Sequence, residues 1–164
     1  MALKKKTRRV VRSTRNNPVQ IAVESAAVIT ESRNGSYRIK EFAALNGMAT
    51  GDFGPDEWTT LLYITNQSEL MSEEGMGVEV AAYAAKAQKA LAEIRAGKEE
   101  HGIWRATPQQ VFDLRELQAY HDLQRQSMHY GKYREYRKRI ENKMRTGSLP
   151  TYTEFLEKSD AHTT

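Results

Sequence analysis

Val80, Ala84, Ala87, Leu91 and Ile94 step along the chain by 4, 3, 4 and 3, with Lys86, Lys89 and Glu93 between them. That period matches one face of an α-helix, so residues near 77–99 are predicted as a helix packed on one side. Trp58, Leu61, Leu62 and Thr65 gather in the same way over 55–74, and Val111, Leu114, Leu117, Tyr120 and Leu123 open a segment reaching from 107 to 144. Two further helices are read near 18–32 and 36–48. No segment joins strict alternation to the Val, Ile and aromatic content of a strand.

The boundaries of these segments come from local chemistry. Asn17-Pro18-Val19-Gln20 and Thr107-Pro108-Gln109-Gln110 each set a capping oxygen before a proline at the first helical position, with an amide two residues further on. Gly54-Pro55-Asp56-Glu57 places acids in a first turn, where they meet the positive end of the helix dipole. The stops are read at Asn34-Gly35, Gly47 to Gly54, Gly75-Met76-Gly77 and Gly97 to Gly102. Pro150 and the capping-box pattern Thr151-Tyr152-Thr153-Glu154 would open one short helix over Phe155 and Leu156. The expected fold is all-α, an antiparallel bundle of four to five helices. Its parts are a disordered basic arm over 1–17, a helical domain over 18–147 that ends in a long basic helix, and a polar tail over 148–164.

Charge changes the picture more than composition does. Residues 1–17 carry seven cations and no anion, 132–145 carry seven against two, and the stretch between them is net minus six. With minus two from 146–164, the whole chain's plus four conceals a strongly polar molecule. In the second basic segment Arg134, Lys138, Glu141 and Arg145 share one helical face, and Lys132, Tyr136, Arg139 and Lys143 another. Cations interleaved with aromatics suit phosphate contacts flanked by stacking surfaces. A helix of 38 residues would run about 57 Å, longer than a compact domain of this size. It would therefore project, bend near Gly131 or pack on a second copy, so a homodimer is one partner the reading allows.

Each basic segment has a plainer alternative. The arm could be a solubilising tail, and the helix end could simply answer the negative pole of its own dipole. Both could also fold back on the acidic body.

Catalytic chemistry is nearly absent from the pattern. Gly75-Met76-Gly77 lacks the Lys-Ser/Thr of a phosphate-binding loop, and neither GxSxG nor HExxH occurs. His121 and His129 stand eight residues apart on one predicted helix, about 12 Å along its axis, too far to share a metal. Cysteine is absent, which excludes disulfides, thiolate metal sites and a Cys nucleophile. Without a membrane-length apolar run or a signal-peptide pattern, the expectation is a soluble cytoplasmic protein with no cofactor, no metal and no membrane partner.

Several of these residues also carry a resemblance. Pro18, Asp56-Glu57-Trp58 with Leu61 and Leu62, Leu91-Ala92-Glu93-Ile94-Arg95, Gly102-Ile103-Trp104, and Leu114, Leu117 and Tyr120-His121-Asp122 look like small helical accessory proteins of proteobacterial phages and plasmids. The likeness covers residues 40–130. That group has no assigned activity, so it implies a setting and no site residues.

Two functions remain. In the first, the chain is a non-enzymatic accessory protein that binds nucleic acid, DNA before RNA. Lys4, Lys5, Lys6, Arg8, Arg9, Arg12 and Arg15 would hold phosphates with Lys132, Arg134, Arg137, Lys138, Arg139 and Lys143. Helices 18–32 and 36–48 would form a helix-turn-helix, although Ser36 to Ala43 carries no run of base readers. In the second, the helical body is an adaptor or inhibitor acting on a host protein.

Overall fold

A computed structural model describes residue 23 and residues 26–147. Five helices succeed one another: α1 (Glu31–Thr50), α2 (Pro55–Glu73), α3 (Val80–His101), α4 (Pro108–Gln126) and α5 (Tyr130–Thr146). Short connections turn the chain back at each step, which gives the antiparallel bundle. Among the described residues the one piece of β-type pairing is an isolated bridge between Val28 and His129. The arm, most of the expected helix at 18–32, and the tail with its short helix lie outside the described residues.

The caps expected at Thr107 and Gly54 are in place, while those expected at Asn17 and Thr151 lie outside the described residues. Thr107 and Gln110 bond reciprocally, Thr107 N–H to Gln110 Oε1 at 2.8 Å and Gln110 N–H to Thr107 Oγ1 at 3.3 Å. At the start of α2 the Gly54 N–H donates to Glu57 Oε2 at 3.0 Å. The Gly75-Met76-Gly77 stretch is a turn, with both glycines at positive φ. Gln124 of α4 donates to the Met76 carbonyl at 2.7 Å and holds this turn against the bundle.

The small-residue stripe of α3 is buried throughout, Val80, Ala84, Ala87, Leu91 and Ile94 each at 2% exposure or less. It meets Leu61 and Ile64 of α2 and Leu114 and Leu117 of α4 in the main core. Trp58 and Trp104 pack on the edge of that core with ring centroids 6.1 Å apart, and the Trp58 indole N–H donates to the Leu91 carbonyl at 2.9 Å. Helix α2 touches all four other helices. Its middle is therefore enclosed on every side, and the polar run Thr65-Asn66-Gln67-Ser68 is buried.

The helix expected over 18–32 does not reach 32, because residues 27–30 are non-helical and Thr30 is the extended N-cap of α1. Two further boundaries differ from the expectation. Asn34-Gly35 is not a stop, because α1 runs unbroken through it from its N-cap at Thr30. Asn34 is buried, and its Oδ1 accepts from Arg125 Nε at 2.5 Å. That tertiary bond and the packing around it outweigh the roughly 1 kcal/mol a mid-helix glycine costs. The expected helix-turn-helix falls with this boundary, since Ser36 to Ala43 lies inside one continuous helix.

The long helix at 107–144 is also two helices, broken over Ser127, Met128 and His129 rather than bent at Gly131. Met128 turns into a second apolar cluster with Ile29, Met71 and Tyr133. The Tyr130 N–H donates to the Ala27 carbonyl at 2.9 Å, so an incoming extended segment secures the break. The chain folds back instead of projecting the roughly 57 Å a straight helix would need.

Candidate functional site

Helix α5 buries Tyr133, Tyr136 and Ile140 against α2, and this stripe separates its cations into two flanks. On one flank are Lys132, Arg139 and Lys143, on the other Arg134, Lys138 and Arg145, with Arg137 at the edge of the buried stripe.

The two flanks face different partners. Arg139 bonds Glu74 at the end of α2, and Lys132 Nζ lies 3.7 Å from the same carboxylate and 3.3 Å from Glu135. The bonds from Arg139 and Tyr136 hold the Glu74 carboxyl below its usual pKa range. This flank meets the acidic body, as the folding-back alternative anticipates.

Beside the other flank, Tyr130 and Arg137 of α5 meet α1. The two helices run alongside in the same direction: the Arg33 guanidinium lies 4.4 Å from the Tyr130 ring centroid, and Arg137 lies 5.1 Å from that of Tyr37. Arg134 approaches the Tyr130 ring at 6.0 Å, and Arg137 also approaches Tyr63 of α2 at 5.7 Å. Cations and phenols thus alternate along both helices. Between them is a groove of about 220 Å³ with Lys40 on the α1 side, Arg137 on the α5 side, and Thr59, Thr60, Tyr63 and Ile64 of α2 beneath.

A buried ion network holds α1 in this position. Arg125 of α4 is fully enclosed. Its Nη1 lies 2.5 Å from Glu41 Oε1, its Nη2 2.7 Å from Asp122 Oδ1, and its guanidinium 5.5 Å from the Tyr37 ring centroid. Gln118 donates to the same Glu41 at 3.1 Å. Burial alone would raise the Glu41 pKa, but Arg125, His121 and Gln118 together hold it below the usual carboxylate value. The charges therefore persist inside the bundle and tie α1 to α4, with the Tyr133 hydroxyl 3.4 Å from Arg125.

His121 sits one turn earlier on α4, wholly buried, its Nδ1 2.8 Å from Ser68 Oγ. Burial pushes its pKa down to about 4, so the ring is neutral near pH 7. The pair resembles a nucleophile and its base in type only, because Ser68 is as inaccessible as the imidazole. His129 is instead exposed at the start of α5.

Of the thirteen cations expected to bind phosphate, the seven in the arm lie outside the described residues. The remaining six are divided by α5: Lys132 and Arg139 go to carboxylates, Arg134 and Arg137 go to tyrosines, and Lys138 and Lys143 are exposed. Arg137 also reaches Glu141 at 3.5 Å. The sequence reading missed Arg33, Tyr37, Lys40 and Tyr63. The first three stand at helical spacings of 4 and 3, a signal cut in two when Gly35 is read as a stop.

The fold and site define an all-α domain, with five helices over 31–146 among the described residues and a cation-and-tyrosine groove between the first and last of them. No protein-family model, curated protein or solved structure matches the chain.

Proposed function

We propose that the protein is a non-enzymatic nucleic-acid-binding accessory or regulatory protein that holds phosphates with its basic arm and with Arg134, Arg137 and Lys138 of α5. One observation carries this reading. The Arg134 guanidinium lies 6.0 Å from the Tyr130 ring centroid and that of Arg137 5.1 Å from the Tyr37 centroid, and Arg137 Nε donates to the Tyr63 hydroxyl at 3.3 Å. Phosphate is bound through the several N–H donors of a guanidinium, so these contacts position the two groups without consuming all of that capacity. The bacterial mobile-element setting rests on the resemblance of residues 40–130 alone.

The test is anisotropy with labelled DNA across a salt series. Deleting one phosphate-binding cation should flatten the log–log salt slope by roughly 0.9 on duplex and 0.7 on single strands. The pair R134A/K138A should flatten it, as should removal of residues 1–16. The pair K132A/R139A, whose charges already serve Glu74, should change it little. Equal effects from the two pairs would refute the assignment of the flanks.

A second reading, an adaptor or inhibitor of a host protein, is favoured by the opposite side of α1. A groove of about 570 Å³ lies there between α1 and α4, with Phe42 41% and Leu123 60% exposed on its walls. Loss of a saturable host-protein complex on F42E, with R134A/K138A harmless to it, would support that reading over the first.

A further inference from the structure

The groove between α1 and α5 has a size and a polarity that the cations alone do not explain. Its volume, about 220 Å³, is below the roughly 300–1,000 Å³ of pockets for drug-sized ligands and suits one planar ring. The walls are aromatic, from Tyr37 and Tyr63, and Ile64 lies at the floor. Thr59 and Thr60 line the same space. Thr59 donates its hydrogen to the Pro55 carbonyl at 2.7 Å and Thr60 donates to the Asp56 carbonyl at 2.9 Å. With those hydrogens used, both oxygens can only accept. Glu41 borders the cavity but turns its oxygens to Arg125 and Gln118, so its charge is answered from the far side.

Charge is arranged across the opening. Lys40 comes from α1 and Arg137 from α5, so cations stand on both rims above an apolar and acceptor-lined interior. A backbone phosphate is drawn to the rims, and the group it carries into the groove must be flat, largely apolar and rich in donors. In a duplex the bases are stacked and paired, so none is free to enter. An unpaired strand offers its bases singly.

We propose that this groove takes one unpaired nucleobase with an amino edge, and that the protein is a binder of single strands. The proposal rests on the nucleic-acid reading and narrows its ligand. The amino group of cytosine would donate to Thr59 or Thr60, while thymine would set a carbonyl against the same oxygens.

The test uses the full chain and three labelled probes of equal length: oligo(dC), oligo(dT) and a mixed-sequence duplex. The expected order is oligo(dC) tightest, with an advantage on the order of tenfold over the other two, the scale of one base-edge hydrogen bond made against one refused. Thr60→Met fills the groove from a half-buried helical position and leaves every cation in place. It should remove the oligo(dC) advantage while the residual binding keeps its salt dependence. Thr59→Met, at an exposed position, is a second variant should the first unfold. Equal affinity for oligo(dC) and oligo(dT), tighter binding of the duplex, or an unchanged advantage in folded groove-filled variants would each overturn the proposal. Absence of binding to all three probes would instead overturn the nucleic-acid reading on which it rests.

Discussion

Acid should destabilise this protein well before its surface carboxylates titrate, and His121 is the reason. In the folded chain its pKa is about 4, whereas an unfolded imidazole takes its proton near 6.5. Above pH 6.5 both states hold it neutral and pH has no leverage. Below that value the unfolded chain binds the extra proton, so stability falls as pH falls, by up to about 1.4 kcal/mol per pH unit. The fall levels off near pH 4, after a loss on the order of 3 kcal/mol, a large share of a typical domain's 5–15 kcal/mol. Glu41 extends the decline at the acid end, because its lowered pKa contributes stability above the ordinary carboxylate value that is lost as pH drops through the folded one. Urea unfolding followed by circular dichroism at half-unit steps from about pH 7.5 to about pH 3, a range that takes in both groups, measures the slope. His121→Asn keeps an amide where Nδ1 meets Ser68 and removes the titration. It should flatten the curve between pH 6.5 and about 4.5 while leaving the Glu41 part below it. A wild-type curve already flat over that range, or a variant with the same slope, would refute the buried neutral imidazole.

Arg125→Met should cost about 3–5 kcal/mol in equilibrium unfolding at pH 7, because Glu41 and Asp122 would lose the cation that answers them inside the bundle. A loss under about 1 kcal/mol would mean that the network opens to solvent. Gly77→Ala should lower stability by about 1–3 kcal/mol in the same assay, since Gly77 has φ +73° and its added Cβ would lie 3.1 Å from Val80 Cγ2. Gly35→Ala is the contrasting case. Nothing lies within 4 Å of a Cβ there, so helix propensity should stabilise the protein by roughly 0.5–1 kcal/mol.

The all-α class and three of the helices are legible in the sequence because their signals are local. Pro55 and Pro108 open helices wherever they stand after a capping residue, and the α3 stripe at 80, 84, 87, 91 and 94 is a property of spacing. Two of the misread boundaries lie where a distant partner decides. Gly35 is read as a terminus until Arg125, 91 residues beyond Asn34, takes that side chain's oxygen. Met128 looks like one more position in a long helix until the second cluster draws it inward.

The site shows the same division. That α5 is basic and rich in tyrosine is written in residues 130–145, and helical spacing alone separates its two flanks. Which flank meets Glu74, and whether Arg137 beside the other lines a groove with Tyr37 and Lys40, depends on the side on which α1 packs. The strongly capped helices, the polarity of the chain and the want of a recognisable catalytic motif are all consequences of residues within a turn or two of one another, and the order of amino acids suffices for them. The unbroken α1, the break before α5, the burial of His121 and Arg125, and the groove emerge only once the helices are packed. These depend on which surfaces meet across the bundle, and local spacing carries no record of such distant contacts.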